Sequence, residues 1–85
     1  GFVYILESII SHRYYIGSCI DIERRLVQHN NGKVPSTCNK GPWELRFSQM
    51  FTNVTDARKM EYRLKKLKSR KIVERIIQEK VITMD

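Results

Sequence analysis

The chain has 85 residues, 41% hydrophobic and 29% charged, with 16 Lys and Arg against nine Asp and Glu. This balance predicts a folded protein, because a disordered chain has too little apolar matter to bury. The length predicts one domain over residues 1–85 and excludes separate catalytic and targeting domains. The longest apolar run, residues 2–6, is far shorter than the roughly 18 residues of a membrane helix, so we expect no membrane association. Two cysteines favour a cytoplasmic, intracellular protein over a disulfide scaffold.

The first half of the chain predicts two strands followed by a helix. Residues 2–6 and 13–17 are rich in β-branched and aromatic side chains, which is typical of strands. Ser18 and Asp21 form a capping-box-like start, which predicts a helix to about His29. The Asn-Asn-Gly that follows ends this helix, because these residues tolerate the left-handed conformation of a helix end.

The second half predicts a loop, a third strand and two more helices. Residues 32–43 are rich in loop-forming residues, and residues 44–51 begin with the alternation of a strand that has one wet face. Thr55 can cap a helix over 56–68, and Ser69 can cap another. The resulting order, β-β-α-β-α-α, predicts an α+β fold with a small three-stranded, mainly antiparallel sheet flanked by three helices.

Most of the positive charge lies in one short segment. Residues 55–71 carry eight Lys and Arg against two acids, whereas residues 1–54 carry six against four. Such a block favours a polyanion, with nucleic acid the leading candidate, although a solvated helix face is the alternative. Four lysines are candidate nucleic-acid contacts: Lys33 and Lys40 in the long loop, and Lys65 and Lys68 near the rim of a cleft.

Helical periodicity separates two adjacent arginines in the first predicted helix. At about 100° per residue, Arg25 and His29 fall on the apolar stripe that faces the sheet. Arg24 falls on the opposite side, so we expect it in solvent. An inward arginine must be paired or must line a cleft, because burying an unpaired charge is very unfavourable.

Glu61 departs from the pattern of the second predicted helix in the same way. It lies inside the apolar stripe that contains Leu64, within the most basic stretch of the chain. One interpretation is a salt bridge to Arg25 or to a lysine. The other is a carboxylate that holds a hard divalent cation, with water and a substrate phosphate completing its coordination.

Two tyrosines complete the set of residues that carry chemistry. Tyr4 and Tyr15 lie on the two strands of the predicted hairpin, where cross-strand neighbours can share one face of a sheet. Two core tyrosines are the simpler interpretation, and two phenols in a site are the other. The functional interpretation predicts a shallow pocket over the sheet in which both phenols, Arg25 and Glu61 converge.

These residues together resemble the GIY-YIG nuclease domain. The matching stretches are Phe2-Val3-Tyr4, Tyr15-Ile16-Gly17-Ser18, Asp21-x-x-Arg24-Arg25-Leu26-x-x-His29-Asn30, Gly41-Pro42-Trp43-Glu44-Leu45 and Ala57-x-x-x-Glu61-x-x-x-Lys65. The resemblance covers essentially the whole chain and is greatest to the compact stand-alone members. The first signature has Phe-Val in place of Gly-Ile and keeps its tyrosine.

The resemblance implies a Mg²⁺- or Mn²⁺-dependent endonuclease that hydrolyses phosphodiester bonds of DNA. Position by position, it implies a catalytic set of Tyr4, Tyr15, Arg25, His29 and Glu61, with Glu61 as the metal ligand. Arg25 matches phosphate geometry and can stabilise transition-state charge. Either tyrosine can be the base that deprotonates water, and His29 either relays a proton or orients Tyr4 or water.

Specificity and partners follow less directly from the residues. The sequence has no recognition helix or zinc finger, so we expect weak sequence preference or recognition of DNA structure, as in DNA repair or recombination. RNA is the less expected substrate. The alternative function is a catalytically inactive module of the same fold that binds DNA or RNA. The apolar segment 81–84 is expected to pack on the sheet or on a second subunit, which allows a weak dimer or a partner protein.

Overall fold

A computed structural model describes residues 1–82 of the chain. Its three strands, β1 (Phe2–Ser8), β2 (Tyr14–Cys19) and β3 (Trp43–Met50), form one antiparallel sheet in the order β2-β1-β3. The central strand is buried from Val3 to Leu6, because both faces of the sheet are covered there. Strand β2 is left at an edge of the sheet.

Three helices complete the fold: α1 (Ile22–Asn30), α2 (Val54–Leu67) and α3 (Arg70–Glu79). A short 3₁₀ turn, Pro35–Thr37, lies inside the loop that joins α1 to β3. The order β-β-α-β-α-α and the α+β class predicted from the sequence are therefore confirmed.

The helices cover the two faces of the sheet unequally. Tyr4 and Leu6 of β1 pack with residues of α1 on one face. Val3 and Ile5 point the other way and pack with residues of α2 and α3. Because successive side chains of a strand point to opposite faces, the residues of β1 contribute alternately to two apolar cores. As a result, the edge strand β2 runs between α1 on one side and α2 on the other.

Two helix caps differ from the prediction. Asp21, not Ser18, caps α1, and its carboxylate accepts a hydrogen bond from the backbone N–H three residues on. Asn53, not Thr55, caps α2 with the same geometry. Both predictions were wrong because short polar residues with similar capping ability stand within three positions of each other. The cap that Ser69 forms on α3 is confirmed.

The C-terminal apolar segment predicted over 81–84 is described only in part, since residues 83–85 lie outside the described residues. Ile82 packs against the core on the α2 and α3 face, and its N–H donates to Gln49 Oε1 at 3.1 Å. Packing on a second subunit stays a prediction. Between residues 1 and 82, no helix has the length and hydropathy to cross a membrane.

Candidate active site

Tyr4 reaches from the central strand over the neighbouring edge strand. It pairs with Gly17 of β2, and a Cβ at position 17 would collide with the ring and the hydroxyl of Tyr4. The missing side chain at this position therefore makes room for the phenol. This gives the glycine of the second signature a direct structural reason, since it lets the Tyr4 hydroxyl lie over β2.

His29, in the last turn of α1, holds that hydroxyl in place. Its Nε2 lies 2.8 Å from Tyr4 Oη, and its Nδ1 lies 2.7 Å from Thr37 Oγ1. The Thr37 hydroxyl donates to the carbonyl of Val34 at 3.4 Å, which leaves its oxygen to accept from Nδ1. This network assigns the proton to Nδ1, so that Nε2 accepts from the phenol.

Burial keeps both partners of this hydrogen bond uncharged. Burial, assisted by the Arg25 guanidinium, lowers the pKa of His29 from 6.5 to about 4. Burial and the nearby Tyr15 raise the pKa of Tyr4 above its usual value, against the opposing effect of Arg25. At neutral pH the imidazole is therefore neutral, and Tyr4 keeps its proton.

The lowered pKa of His29 makes stability depend on pH. In the unfolded chain this imidazole binds a proton near pH 6.5, whereas in the folded protein it does so only near pH 4. We therefore expect the free energy of unfolding to fall as the pH is lowered from about 6.5 to about 4, by on the order of 3 kcal/mol. Urea unfolding across this range measures the change.

The second histidine provides the matched control for this prediction. His12 is exposed and pairs with Glu7 at 3.0 Å. A His29→Gln variant should lose much of the pH dependence between pH 6.5 and 4, whereas His12→Gln should keep it. Equal slopes for the two variants would show that His29 is not the titrating group.

Tyr15 presents a second phenol beside the first. Its ring centroid lies 6.3 Å from that of Tyr4 and 5.0 Å from that of His29. Tyr15 is half-buried, and within residues 1–82 its hydroxyl has no hydrogen bond to protein. The two phenols thus share one face, as predicted, and the Tyr4 hydroxyl has used its proton on His29, whereas the Tyr15 hydroxyl still has its proton to donate to a ligand or water.

The two adjacent arginines differ as the helical arithmetic predicts. Arg24 is exposed, whereas Arg25 is half-buried and its charge acts on Tyr4 and on His29. Among the described residues, no carboxylate forms an ion pair with Arg25. A half-buried guanidinium near the Tyr4 phenol, without an ion pair in the described part of the chain, has the chemistry to bind a phosphate or another oxyanion.

Glu61 is held at the edge of the sheet by two contacts. Its Oε1 accepts a hydrogen bond from Ser18 Oγ at 2.5 Å, and its Oε2 lies 2.6 Å from Lys65 Nζ. Its side chain is only 20% exposed. Glu61 thus forms an ion pair with Lys65, as one of the two interpretations of this residue predicted. Within residues 1–82, it forms none with Arg25.

Tyr4 and Glu61 approach β2 from opposite faces of the sheet. Ser18, which holds Glu61, pairs with Val3, and Val3 belongs to the α2 and α3 core. Tyr4 belongs to the α1 core. The prediction of a shallow pocket over one face of the sheet was therefore wrong. The candidate site instead has residues on both faces of the edge strand β2. Glu61 and Tyr4 still interact electrostatically, since the charge of Glu61 contributes to the raised pKa of Tyr4.

The residues around Glu61 fit a hard divalent cation of the kind the fold family implies. The carboxylate and the Ser18 hydroxyl offer oxygen ligands, which Mg²⁺ and Mn²⁺ prefer, and water and a phosphate commonly complete such a sphere. No cluster of three His, Cys, Asp or Glu side chains occurs within residues 1–82. These residues therefore fit a cation that is held by one carboxylate. Because Lys65 contacts that carboxylate, its ammonium has to move away before a cation can bind.

The four lysines predicted to contact nucleic acid are spread over the surface. Lys65 contacts Glu61, and its ammonium lies 5.6 Å from the centroid of the Tyr15 ring. Lys33 and Lys40 are exposed in the loop after α1, and Lys68 is exposed at the C-cap of α2. Of the four, the structure brings Lys65 to the candidate site.

Comparison with known proteins agrees with this fold. Residues 1–74 match the family model of the GIY-YIG catalytic domain, and the chain belongs to that family. It is similar to small proteins named UPF0213. The one from Bacillus licheniformis is 40% identical, with 82% of each chain covered, and the one from Pectobacterium carotovorum is 36% identical over 98% of this chain and 83% of the relative.

A solved structure shows the same fold. The solution NMR structure of the UPF0213 protein from Bacillus halodurans matches with a TM-score of 0.59 and 34% identity. The match covers 93% of this chain and 83% of that one. The arrangement of three antiparallel strands and three helices is therefore shared with a relative of known structure.

Proposed function

We propose that this protein is a divalent-metal-dependent endonuclease that hydrolyses phosphodiester bonds of DNA, with residues 1–85 as one nuclease domain. The observation that carries the proposal is the position of Glu61, which Ser18 fixes at the edge strand β2, while Arg25 lines a cleft that Ser18 also lines. A module that only binds a polyanion has no use for a fixed carboxylate in its most basic stretch. Membership of the GIY-YIG family supports nuclease chemistry.

The residues divide the work of phosphodiester hydrolysis between charge and proton transfer. Glu61 holds the cation, which when bound polarises the scissile phosphate and neutralises charge on the departing oxygen. The Arg25 guanidinium binds non-bridging phosphate oxygens and stabilises the negative charge of the transition state. Because Arg25 has no competing ion pair among the described residues, it does not have to exchange partners when a phosphate arrives.

The two phenols support different roles. A general base works best when its pKa lies near the ambient pH, and burial moves the pKa of Tyr4 away from that range. The hydroxyl of Tyr4 is also bound to His29. Tyr4 and His29 therefore form a neutral, positioning pair, whereas the half-buried Tyr15 is the phenol left to contact the attacking water.

The test is cleavage of supercoiled plasmid and of branched DNA with Mg²⁺, with Mn²⁺ or with EDTA. We expect cleavage with either metal, none with EDTA, weak sequence preference, and little cleavage of RNA of matching sequence. DNA binding without cleavage under any of these conditions would overturn the proposal. It would establish instead the inactive nucleic-acid-binding module of the same fold.

The contact between Lys65 and Glu61 predicts competition between lysine and metal. An i,i+4 ion pair of this exposure is worth about 0.3–0.5 kcal/mol. We therefore expect Lys65→Met to tighten Mn²⁺ binding about twofold, measured by electron paramagnetic resonance without DNA. Lys66→Met is the control, since Lys66 lies beside Tyr62 and not beside Glu61. An equal effect of both variants would show that only net charge matters.

Cellular setting and association belong to the proposal as well. Both cysteines, Cys19 and Cys38, are free thiols, which supports the expected cytoplasmic location. A role in DNA repair or recombination is consistent with an enzyme of low sequence preference. A weak dimer stays a prediction, which the sedimentation behaviour of the purified protein tests, and binding of a partner protein stays a prediction as well.

A further inference from the structure

A cleft lies where β2 ends, between the first turns of α1 and α2. Its volume is about 290 Å³, close to the lower end of about 300 Å³ for ligand pockets. One side is lined by Asp21, the N-cap of α1, and by Arg24, Arg25 and Gln28 of α1, and the other by Val54, Ala57 and Arg58 of α2. Both sets follow the three- and four-residue spacing of a single helix face, so two helix faces form opposite walls of one cleft.

The cleft is strongly cationic. Three arginines line it, and among residues 1–82 the structure records no salt bridge for Arg24, Arg25 or Arg58. Asp21 is the acid among the lining residues, and its carboxylate is engaged in capping α1. Three permanent positive charges around one small cavity repel each other, and a bound anion relieves that repulsion. The planar guanidinium fork is suited to phosphate above other anions.

The cleft is continuous with the candidate active site. Arg25 belongs to both, and Ser18 lines the cleft while it holds Glu61. On α2, Arg58 precedes Glu61 by three residues, which is nearly one helical turn or about 4.5 Å along the axis. A phosphate in the cleft would therefore lie beside the scissile phosphate, which Arg25 binds and which faces the cation held by Glu61.

We propose that this cleft is a second phosphate subsite, which holds the DNA backbone next to the scissile phosphate. Arg24 and Arg58 bind the phosphate from opposite walls, and Gln28 offers a neutral hydrogen-bond donor on the wall of Arg24. The inference rests on the proposed function, because that function puts the scissile phosphate at Arg25. It revises the expectation for Arg24, which is exposed as predicted and yet faces a binding cleft.

The subsite makes a prediction about the salt dependence of DNA binding. Removal of one arginine that binds a phosphate should lower the slope of log affinity against log salt by about one. Because both arginines bind the same phosphate, we expect the double variant Arg24→Gln/Arg58→Gln to lower that slope by about one and to weaken binding about tenfold at moderate salt. The measurement is fluorescence anisotropy of a short labelled DNA duplex in EDTA.

A control pair tests whether the effect belongs to the cleft. Lys59→Gln/Lys66→Gln removes the same charge from α2 positions that do not line the cleft. It should weaken binding much less. Equal weakening by the two pairs, or binding of the Arg24→Gln/Arg58→Gln variant at parental affinity and slope, would overturn the subsite. Circular dichroism confirms that each variant is folded.

The experiment also separates this inference from the proposed function. Binding in EDTA does not depend on catalysis, whereas plasmid cleavage is measured with metal. If the parent protein binds through the cleft but never cleaves, the enzyme proposal fails and the anion subsite stands. If it cleaves, and the loss of both cleft arginines leaves DNA binding intact, the subsite alone fails.

Discussion

Replacing Glu61 by Gln is expected to abolish DNA cleavage while DNA binding is kept. The amide retains the size of the side chain and an oxygen for the Ser18 hydroxyl, so the fold should be preserved. It loses the charge that we propose holds a hard cation. Removal of a residue that only hydrogen-bonds to a metal ligand lowers activity or metal affinity about 10–100-fold. Removal of the proposed ligand itself should therefore lower the cleavage rate more than about 100-fold.

Three measurements on the Glu61→Gln variant separate catalysis from binding. Plasmid cleavage with Mg²⁺ should be lost, and Mn²⁺ binding measured without DNA should be lost with it. Duplex binding in EDTA should equal or exceed that of the parent, since a negative charge is removed. Glu79→Gln makes the same chemical change on an exposed part of α3 and should cleave normally. If Glu61→Gln cleaves as well as the parent, the site is assigned wrongly.

Local patterns were sufficient to predict the elements and the orientation of side chains on them. The alternation in the strands and the 100° period of α1 predicted the buried His29 and the contrast between Arg24 and Arg25. These are properties of a few neighbouring residues, so they can be read without knowledge of the rest of the chain. The caps at Asp21 and Asn53 were missed because nearby residues offer the same hydrogen bonds.

Contacts between distant residues could not be predicted in the same way. No local pattern indicates that Ser18 binds Glu61, 43 positions away, or that Thr37 fixes the imidazole of His29. The placement of Tyr4 and Glu61 on opposite faces depends on strand register and on which face each helix covers. The role proposed for Arg58 depends on a cleft shared by two helices, which no local pattern indicates.

The Asn30 side chain links the end of α1 to the start of β3, a contact that the sequence prediction did not include. Its side-chain oxygen accepts from the Trp43 N–H at 2.7 Å, and its nitrogen donates to the Trp43 carbonyl at 3.2 Å. The end of α1 is thereby tied to the start of β3, which places His29 relative to the sheet. The sequence suggested only a helix stop, although an amide beside a buried histidine also offers a donor and an acceptor for such a link.

Replacing Arg25 by Met is expected to remove activity without loss of stability. Arg25 is half-buried and has no ion pair among the described residues, so the folded protein bears the desolvation of a charge without compensation. An apolar side chain of similar length keeps the packing and removes this penalty. We expect urea unfolding to show equal stability or a gain of up to about 1 kcal/mol.

The same Arg25→Met variant should lower the maximal cleavage rate about 100–1000-fold, as loss of a group that stabilises transition-state charge does. Because the Arg25 charge helps to lower the pKa of His29, that pKa should rise in the variant, which NMR titration of the imidazole measures. Arg75→Met on the exposed side of α3 is the control and should change neither rate nor pKa. A loss of activity that is matched by a loss of more than about 1 kcal/mol of stability would instead make Arg25 a structural residue. If the variant is more stable than the parent and inactive, Arg25 serves phosphate binding at a cost in stability.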